Sequence, residues 1–343
     1  MIVIPGNYKS FLSQRITERA IKFVKDTFER ELSAELSLSR VTSTLFVPAN
    51  SGINDDLNGV ERPVRFNVGN MNETPMEIVQ SLAKWKRMTL ADHGFEPGTG
   101  LYTDMNAIRP DDDIDNIHSI YVDQWDWERV MHEGERNLDF LKSIVTRIYE
   151  AIKRTEFLVS EYYPSCAQSL PDKITFIHSE EARALYPDLT PVEREKKLAK
   201  KYGAIFIIGI GMPLTDGVMH GGRAPDYDDW STKNSDGYYG LNGDIIVWDS
   251  IRNDSLELSS MGIRVSPESL LNQLKIRGCM ERADLYWHRR LLSGEYPQTI
   301  GGGIGQSRLC MFLLRKAHIG EVQASVWPEE DRIAARNAGI ILM

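Results

Sequence analysis

The stretch Gly301-Gly302-Gly303-Ile304-Gly305-Gln306-Ser307-Arg308 runs directly into an apolar helical segment, residues 309–314. Glycines let a backbone pass close beneath a flat ligand or a phosphate, because no Cβ intrudes. A helix starting beyond them offers unpaired N–H groups and a positive dipole end to an anion. Arg308, in the first turn, has the reach to meet a nucleotide phosphate or stack on a base. The stretch is not a dinucleotide fingerprint, because no acidic residue follows a second strand at the required distance. It also lacks the Gly-Lys-Ser/Thr ending of a phosphate-binding loop. Taken alone, it reads equally as a flexible glycine turn carrying a surface arginine.

Working outward, apolar residues at helical spacing predict a long amphipathic helix over 10–38, with Ile16, Ala20, Phe23, Val24, Phe28, Leu32 and Leu36 on its stripe. Further helices are predicted over 79–91, 135–162, 191–202, 266–276 and 281–292. Strands are predicted over 41–48, 64–68, 119–128, 174–178, 204–210, 244–248 and 256–265, with a Gly/Asn/Asp loop over 50–59. Several strands follow one another without an intervening helix. That order favours an α+β fold with a mainly antiparallel sheet flanked by helices. One catalytic domain over 10–330 is expected, followed by a tail over 331–343.

The chain has 343 residues, 42% hydrophobic and 26% charged, with a formal net charge of -9. That balance opposes broad binding to nucleic acid, which needs excess Lys and Arg. No apolar run is long enough to span a bilayer, and none resembles a signal peptide. Cys166, Cys279 and Cys310 are far apart and odd in number, which argues against a zinc ribbon or disulfide framework. A reducing, cytoplasmic location is expected.

Residues 119–128 alternate unusually. As a strand they place Ile120, Val122, Gln124, Asp126 and Glu128 on one face, and Tyr121, Asp123, Trp125 and Trp127 on the other. A row of buried carboxylates is costly, so this face meets either water or a cationic ligand. Asp244 and Glu257 fall on neighbouring predicted strands. Two carboxylates brought together repel unless a cation joins them, which suits a divalent ion such as Mg²⁺.

Gly301, Gly303, Gly305 and Arg308 resemble the third signature motif of class II aminoacyl-tRNA synthetases. The longer block from Pro297 to Arg308 is closer to one relative of that class, the ammonia-dependent asparagine synthetases (aspartate–ammonia ligases). The blocks 81–87 (SLAKWKR), 121–129 (YVDQWDWER), 223–230 (RAPDYDDW), 241–244 (LNGD) and 257–264 (ELSSMGIR) resemble the same family, in one consistent order over about 11–328. The resemblance implies a class II synthetase-like catalytic domain and synthesis of asparagine from aspartate, ammonia and ATP through a β-aspartyl adenylate, with Mg²⁺. It also implies a homodimer with residues 10–48 at the contact.

Residue by residue, the resemblance implies catalytic roles for Asp55, Arg109, Asp126 and Arg308. Ser81, Lys86, Gln124, Arg223, Asp228, Asp244 and Ser260 are expected at the substrate, and Arg109, Glu257, Gly303, Gly305 and Arg308 at the nucleotide. Asp244 and Glu257 are the expected metal-side pair. Asp226 and Asp229 are close enough to Asp228 to exchange roles with it. Glu257 and Ser260 have opposite strand parity, so a bulge or strand end must separate them if both reach one site. Gln80 departs from the histidine frequent at that position in the family. Residue 2 is isoleucine, so no N-terminal cysteine nucleophile is available to split glutamine, and free ammonia is the expected donor. The competing readings are an aspartyl-tRNA synthetase-like enzyme and a catalytically silent nucleotide- or amino-acid-binding relative.

Overall fold

The computed structural model describes residues 2–6, 8–55, 57 and 61–343. Part of the expected loop over 50–59, including Asp56, Asn58 and Gly59, lies outside the described residues. The strands are β1 (Leu38–Arg40), β2 (Phe46–Pro48), β3 (Arg65–Val68), β4 (Thr74–Ile78), β5 (Gly100–Ile108), β6 (Tyr121–Val130), β7 (Thr175–His178), β8 (Ala204–Ile208), β9 (Asn242–Asp249), β10 (Asp254–Ile263) and β11 (Thr299–Gly305). The helices are α1 (Gln14–Leu36), α2 (Ala83–Asp92), α3 (Leu138–Tyr162), α4 (Ser179–Leu185), α5 (Pro191–Tyr202), α6 (Pro267–Arg277), α7 (Tyr286–Leu292), α8 (Gln306–Leu313) and α9 (Glu329–Asn337).

Eight strands form the main sheet in the order β1-β5-β6-β11-β10-β9-β8-β7, and β2-β4-β3 form a smaller one. Only the edge pairs β1–β5 and β7–β8 run parallel; every other neighbouring pair is antiparallel. The α+β, mainly antiparallel expectation holds.

Helix ends follow local chemistry. Asn137 caps α3 by accepting from the N–H of Phe140. Thr190 and Glu193 form a capping box at α5, Pro191 opens it and Gly203 closes it with positive φ. Ser266 caps α6, and Gly278 ends it in the left-handed region.

The stripe of α1 (Ala20, Val24, Phe28, Leu32, Leu36) is buried in the main core with α3 and the two tryptophans of β6. The Phe28 ring lies 4.8 Å from that of Trp125. Most of the predicted stripe is thus used within the chain, although Phe23 is only partly buried and Ile16 is exposed.

Several elements differ from expectation. The glycine stretch is not a turn but a strand, β11, hydrogen-bonded on both sides by β6 and β10. Of the predicted strand 41–48 only 46–48 pair, as β2 in the smaller sheet; β1 lies just before the predicted range, in the main sheet. The helix expected from residue 79 begins at Ala83, because 74–78 pair as β4 and the Ser81 hydroxyl accepts from the Ala83 N–H. The helix expected over 281–292 breaks into a 3-10 turn and α7. The expected tail contains most of α9, anchored where Asp331 accepts from the Ile2 N–H and Ala335 packs with Ile2 and Ala317.

Candidate active site

A cleft of about 670 Å³ opens over β6, β11, β10 and β9, and its lining includes every residue expected at the substrate, the nucleotide or the metal, and every residue given a catalytic role. The floor is built by β11. Gly301, Gly303 and Gly305 stand opposite Glu128, Asp126 and Gln124 of β6. A Cβ on Gly303 would lie 2.4 Å from Gln124 Oε1 and 2.8 Å from Asp126 Oδ1, so only glycine fits beneath these groups. On the opposite parity, Ile300 and Ile304 enter the main core.

Asp126 is buried and asymmetric. Its Oδ2 accepts from the Leu82 N–H at 3.2 Å and lies 3.2 Å from Lys86 Nζ. Among the described residues its Oδ1 has no partner. Burial pushes the Lys86 ammonium below its ordinary value, and Asp126 opposes that shift. Lys86 also donates to the Gly302 carbonyl at 2.8 Å, tying α2 to the floor. An unmet carboxylate oxygen in a buried polar setting invites a cationic or donor group.

On the far wall, Arg223 donates to Asp244 at 2.5 Å and to Ser260 Oγ, while Ser260 donates to the same Asp244 oxygen at 2.6 Å. Ser260 and Asp244 face each other across β9–β10. The ladder slips between Glu257 and Ser259, so the bulge that the parity requires is present and both side chains reach the cleft.

Glu257 is half-exposed; withdrawal from water and then the charge of Asp244 raise its carboxyl above the usual range. Arg308 lies 3.8 Å from Glu257 Oε1 and donates to the carbonyls of Glu257 and Ile117, bridging β10 to the loop after Arg109. Arg109 donates twice to the Gln80 carbonyl.

The three aspartates near Tyr227 separate by their partners. Asp228 lines the cleft and pairs with Arg264 and Arg223. Asp226 points away, bound by Lys84, His288 and Arg282. Asp229 is used by Arg136, Thr232 and two backbone N–H groups. Asp226 and Asp229 are therefore not interchangeable with Asp228.

Arg264 was assigned no role from the sequence, although it closes a quoted block. It is buried, pairs with both Glu128 and Asp228, and lines the cleft. Burial resists ionisation of Glu128, but Arg264 overcomes it and holds that carboxyl below its ordinary value. Glu195 of α5 also lines the cleft, held by His220 at 2.9 Å.

A family model described as aspartate-ammonia ligase matches residues 15–339. The chain belongs to the aspartate–ammonia ligase family. It is 60% identical to the aspartate–ammonia ligase of Parabacteroides distasonis over 100% of this chain and 99% of that protein. It is 56% identical to the Clostridium perfringens protein of the same name, over 96% and 95%. Among solved structures, asparaginyl-tRNA synthetase from Pyrococcus horikoshii complexed with asparaginyl-adenylate aligns with a TM-score of 0.65 at 15% identity, covering 91% of this chain and 70% of that one. The Entamoeba histolytica asparaginyl-tRNA synthetase complex gives 0.64 at 13%, covering 90% and 66%. At such identities the likeness concerns the fold alone, and the ligase family has the fold of class II synthetase catalytic domains.

Proposed function

We propose that this chain joins ammonia to the side-chain carboxylate of aspartate at the expense of ATP, yielding asparagine, AMP and pyrophosphate. The observation that carries this reading is the floor of the cleft, where the unpartnered Asp126 Oδ1 and Gln124 stand over Gly303 in a cavity also lined by Arg109 and Arg308. In the first step an oxygen of the aspartate β-carboxylate bonds to the α-phosphorus of ATP. The bond from that phosphorus to the β-phosphate breaks, and pyrophosphate leaves with the electron pair. Arg109 and Arg308 stabilise the charge that grows on the α-phosphoryl oxygens. Ammonia then attacks the acyl carbon, the acyl–oxygen bond breaks, and AMP departs. Asp55 and Asp126 draw in ammonium and take its proton. Arg223 and Asp228 face the charged α-groups of the amino acid, with Ser81, Lys86, Gln124 and Ser260 around it.

Mg²⁺ fits the donor set. Asp244 and Glu257 supply hard carboxylate oxygens, and among the described residues no third acidic, histidine or cysteine ligand joins them. Such a pair suits an ion that takes its remaining ligands from phosphates and water. When bound, the ion would neutralise triphosphate charge; Glu257 is the more available ligand, because Asp244 already serves Arg223 and Ser260.

Purified protein with ATP, Mg²⁺, aspartate and ammonium should give AMP, pyrophosphate and asparagine without tRNA. A requirement for tRNA, or ADP as product, would overturn the reading. Asp126→Asn should lower ammonia-dependent turnover about 10²-fold, the scale of a lost general base, and lower aspartate-dependent pyrophosphate exchange far less. Equal losses would remove Asp126 from the ammonia step.

The same reading takes residues 10–330 as one catalytic unit in a cytoplasmic homodimer. No helix among the described residues is long and apolar enough to cross a membrane. Because the inner stripe of α1 is occupied, the proposed contact uses edge strand β1 and the exposed Leu45 and Phe46 beyond it. Light scattering that returns a monomer at micromolar concentration would remove the dimer.

A further inference from the structure

Gln80 precedes Ser81, is completely buried, and does not line the cleft. Its hydrogen bonds run in two directions. On one side its N–H donates to Asn54 Oδ1 at 2.9 Å, and its Nε2 donates to the Asp55 carbonyl at 3.1 Å. A longer contact of 3.5 Å reaches the Glu61 carbonyl. On the other side its own carbonyl accepts from Arg109 Nη2 at 3.0 Å and Nε at 3.3 Å.

Asn54 is itself fastened down. Its Nδ2 donates to the Ile78 carbonyl at 3.1 Å and to Glu77 at 3.2 Å, and its Oδ1 also accepts from the Asp55 N–H at 2.9 Å. Residues 54–55 and 77–80 therefore form one hydrogen-bonded unit that ends on Arg109. Packing alone does not account for Gln80. Among the described residues its Oε1 is buried without a partner, an arrangement that a methionine of nearly the same shape would avoid. The side chain retains its Nε2 donor at the cost of an unmet acceptor, and that donor is spent on the backbone of Asp55.

We propose that Gln80 is a positioning residue that sets Asp55 relative to Arg109, so that the group meeting ammonium and the group meeting the phosphate share one anchor. The proposal rests on the roles given above to Asp55 and Arg109. An amide also makes this anchor independent of pH across the physiological range, since it does not titrate.

Gln80→Met and Gln80→Leu separate this role from a structural one. Both keep the backbone links to Asn54 and Arg109 and a side chain of similar bulk, and neither can donate to the Asp55 carbonyl. Each should raise KM for ammonium about tenfold, the factor of one lost buried hydrogen bond, while KM for ATP changes less than about threefold. A double-mutant cycle then tests the route. If Gln80 acts through Asp55, Gln80→Met adds little to the ammonium defect of Asp55→Asn. Two defects that multiply would overturn the proposal, as would equal changes in the two KM values. If Gln80→Met fails to fold, the leucine variant carries the same comparison. Failure of Asp55→Asn to alter the ammonium dependence would instead refute the role given to Asp55, and wild-type protein without asparagine synthesis would refute the proposed function.

Discussion

A single methyl group at residue 303 would fill the space beneath two of the cleft's polar groups. Gly303→Ala places its Cβ 2.4 Å from Gln124 Oε1, so Gln124 and Asp126 must lift into the substrate space. KM for aspartate should rise at least about tenfold with little change in unfolding midpoint, because both displaced groups face the cleft. Steady-state kinetics and thermal melts on the same preparation check this. Gly301→Ala should behave differently. Its Cβ would lie 1.9 Å from Glu128 Oε2, within the buried Glu128–Arg264 pair. That clash strikes the fold, and a loss of about 3 kcal/mol or more is expected in denaturant titration. The residue types were legible in the sequence, but their availability was not. Asp226, Asp228 and Asp229 look alike in one dimension, and only partners up to 142 residues away separate them.

At the level of elements, β6 was readable because its alternation is strict. Trp125 and Trp127 point to α1 and α3, while Gln124 and Asp126 point to the cleft. The back face therefore supports the front. Phe28→Ala would leave a void against Trp125 and should cost about 3–5 kcal/mol. Equilibrium urea unfolding measures that loss, and the loosened strand should also raise KM for aspartate. Strand β11 was not readable, because glycine disfavours strands and packs no side chain of its own. Its partners on both edges, β6 and β10, supply the order that its composition lacks. The bulge in β10 had only an indirect trace, the opposite parity of Glu257 and Ser260 on one strand.

Across the whole molecule, the packing of both chain ends makes stability depend on pH. His318 is buried, accepts from the Gly320 N–H and meets the Trp327 ring edge-on. Burial lowers it from an ordinary 6.5 to about 4, with Asp331 and Asp115 opposing the shift. Between those values the unfolded chain holds more protons than the folded one. Stability is thus full above pH 6.5 and falls as the pH drops toward 4, by at most roughly 3 kcal/mol from this group. Burial lowers His178 and His288 as well, and both add to the same trend. His318→Asn should flatten the decline of melting temperature between pH 6.5 and 4. An unchanged slope would place the proton uptake elsewhere.

By itself the sequence determined what depends on near neighbours and on order along the chain. It specified the alternation of β6, the stripe of α1 and the ordered blocks that mark the ligase family. The tertiary structure alone decided that the glycines form a central strand, that α1 spends most of its stripe inside the chain, and that Asp228 faces the cleft while Asp226 and Asp229 are bound elsewhere. The reason is physical. Caps and periodicity are set within a few residues, whereas the partner of a buried charge comes from whichever distant strand or helix the sheet brings beside it.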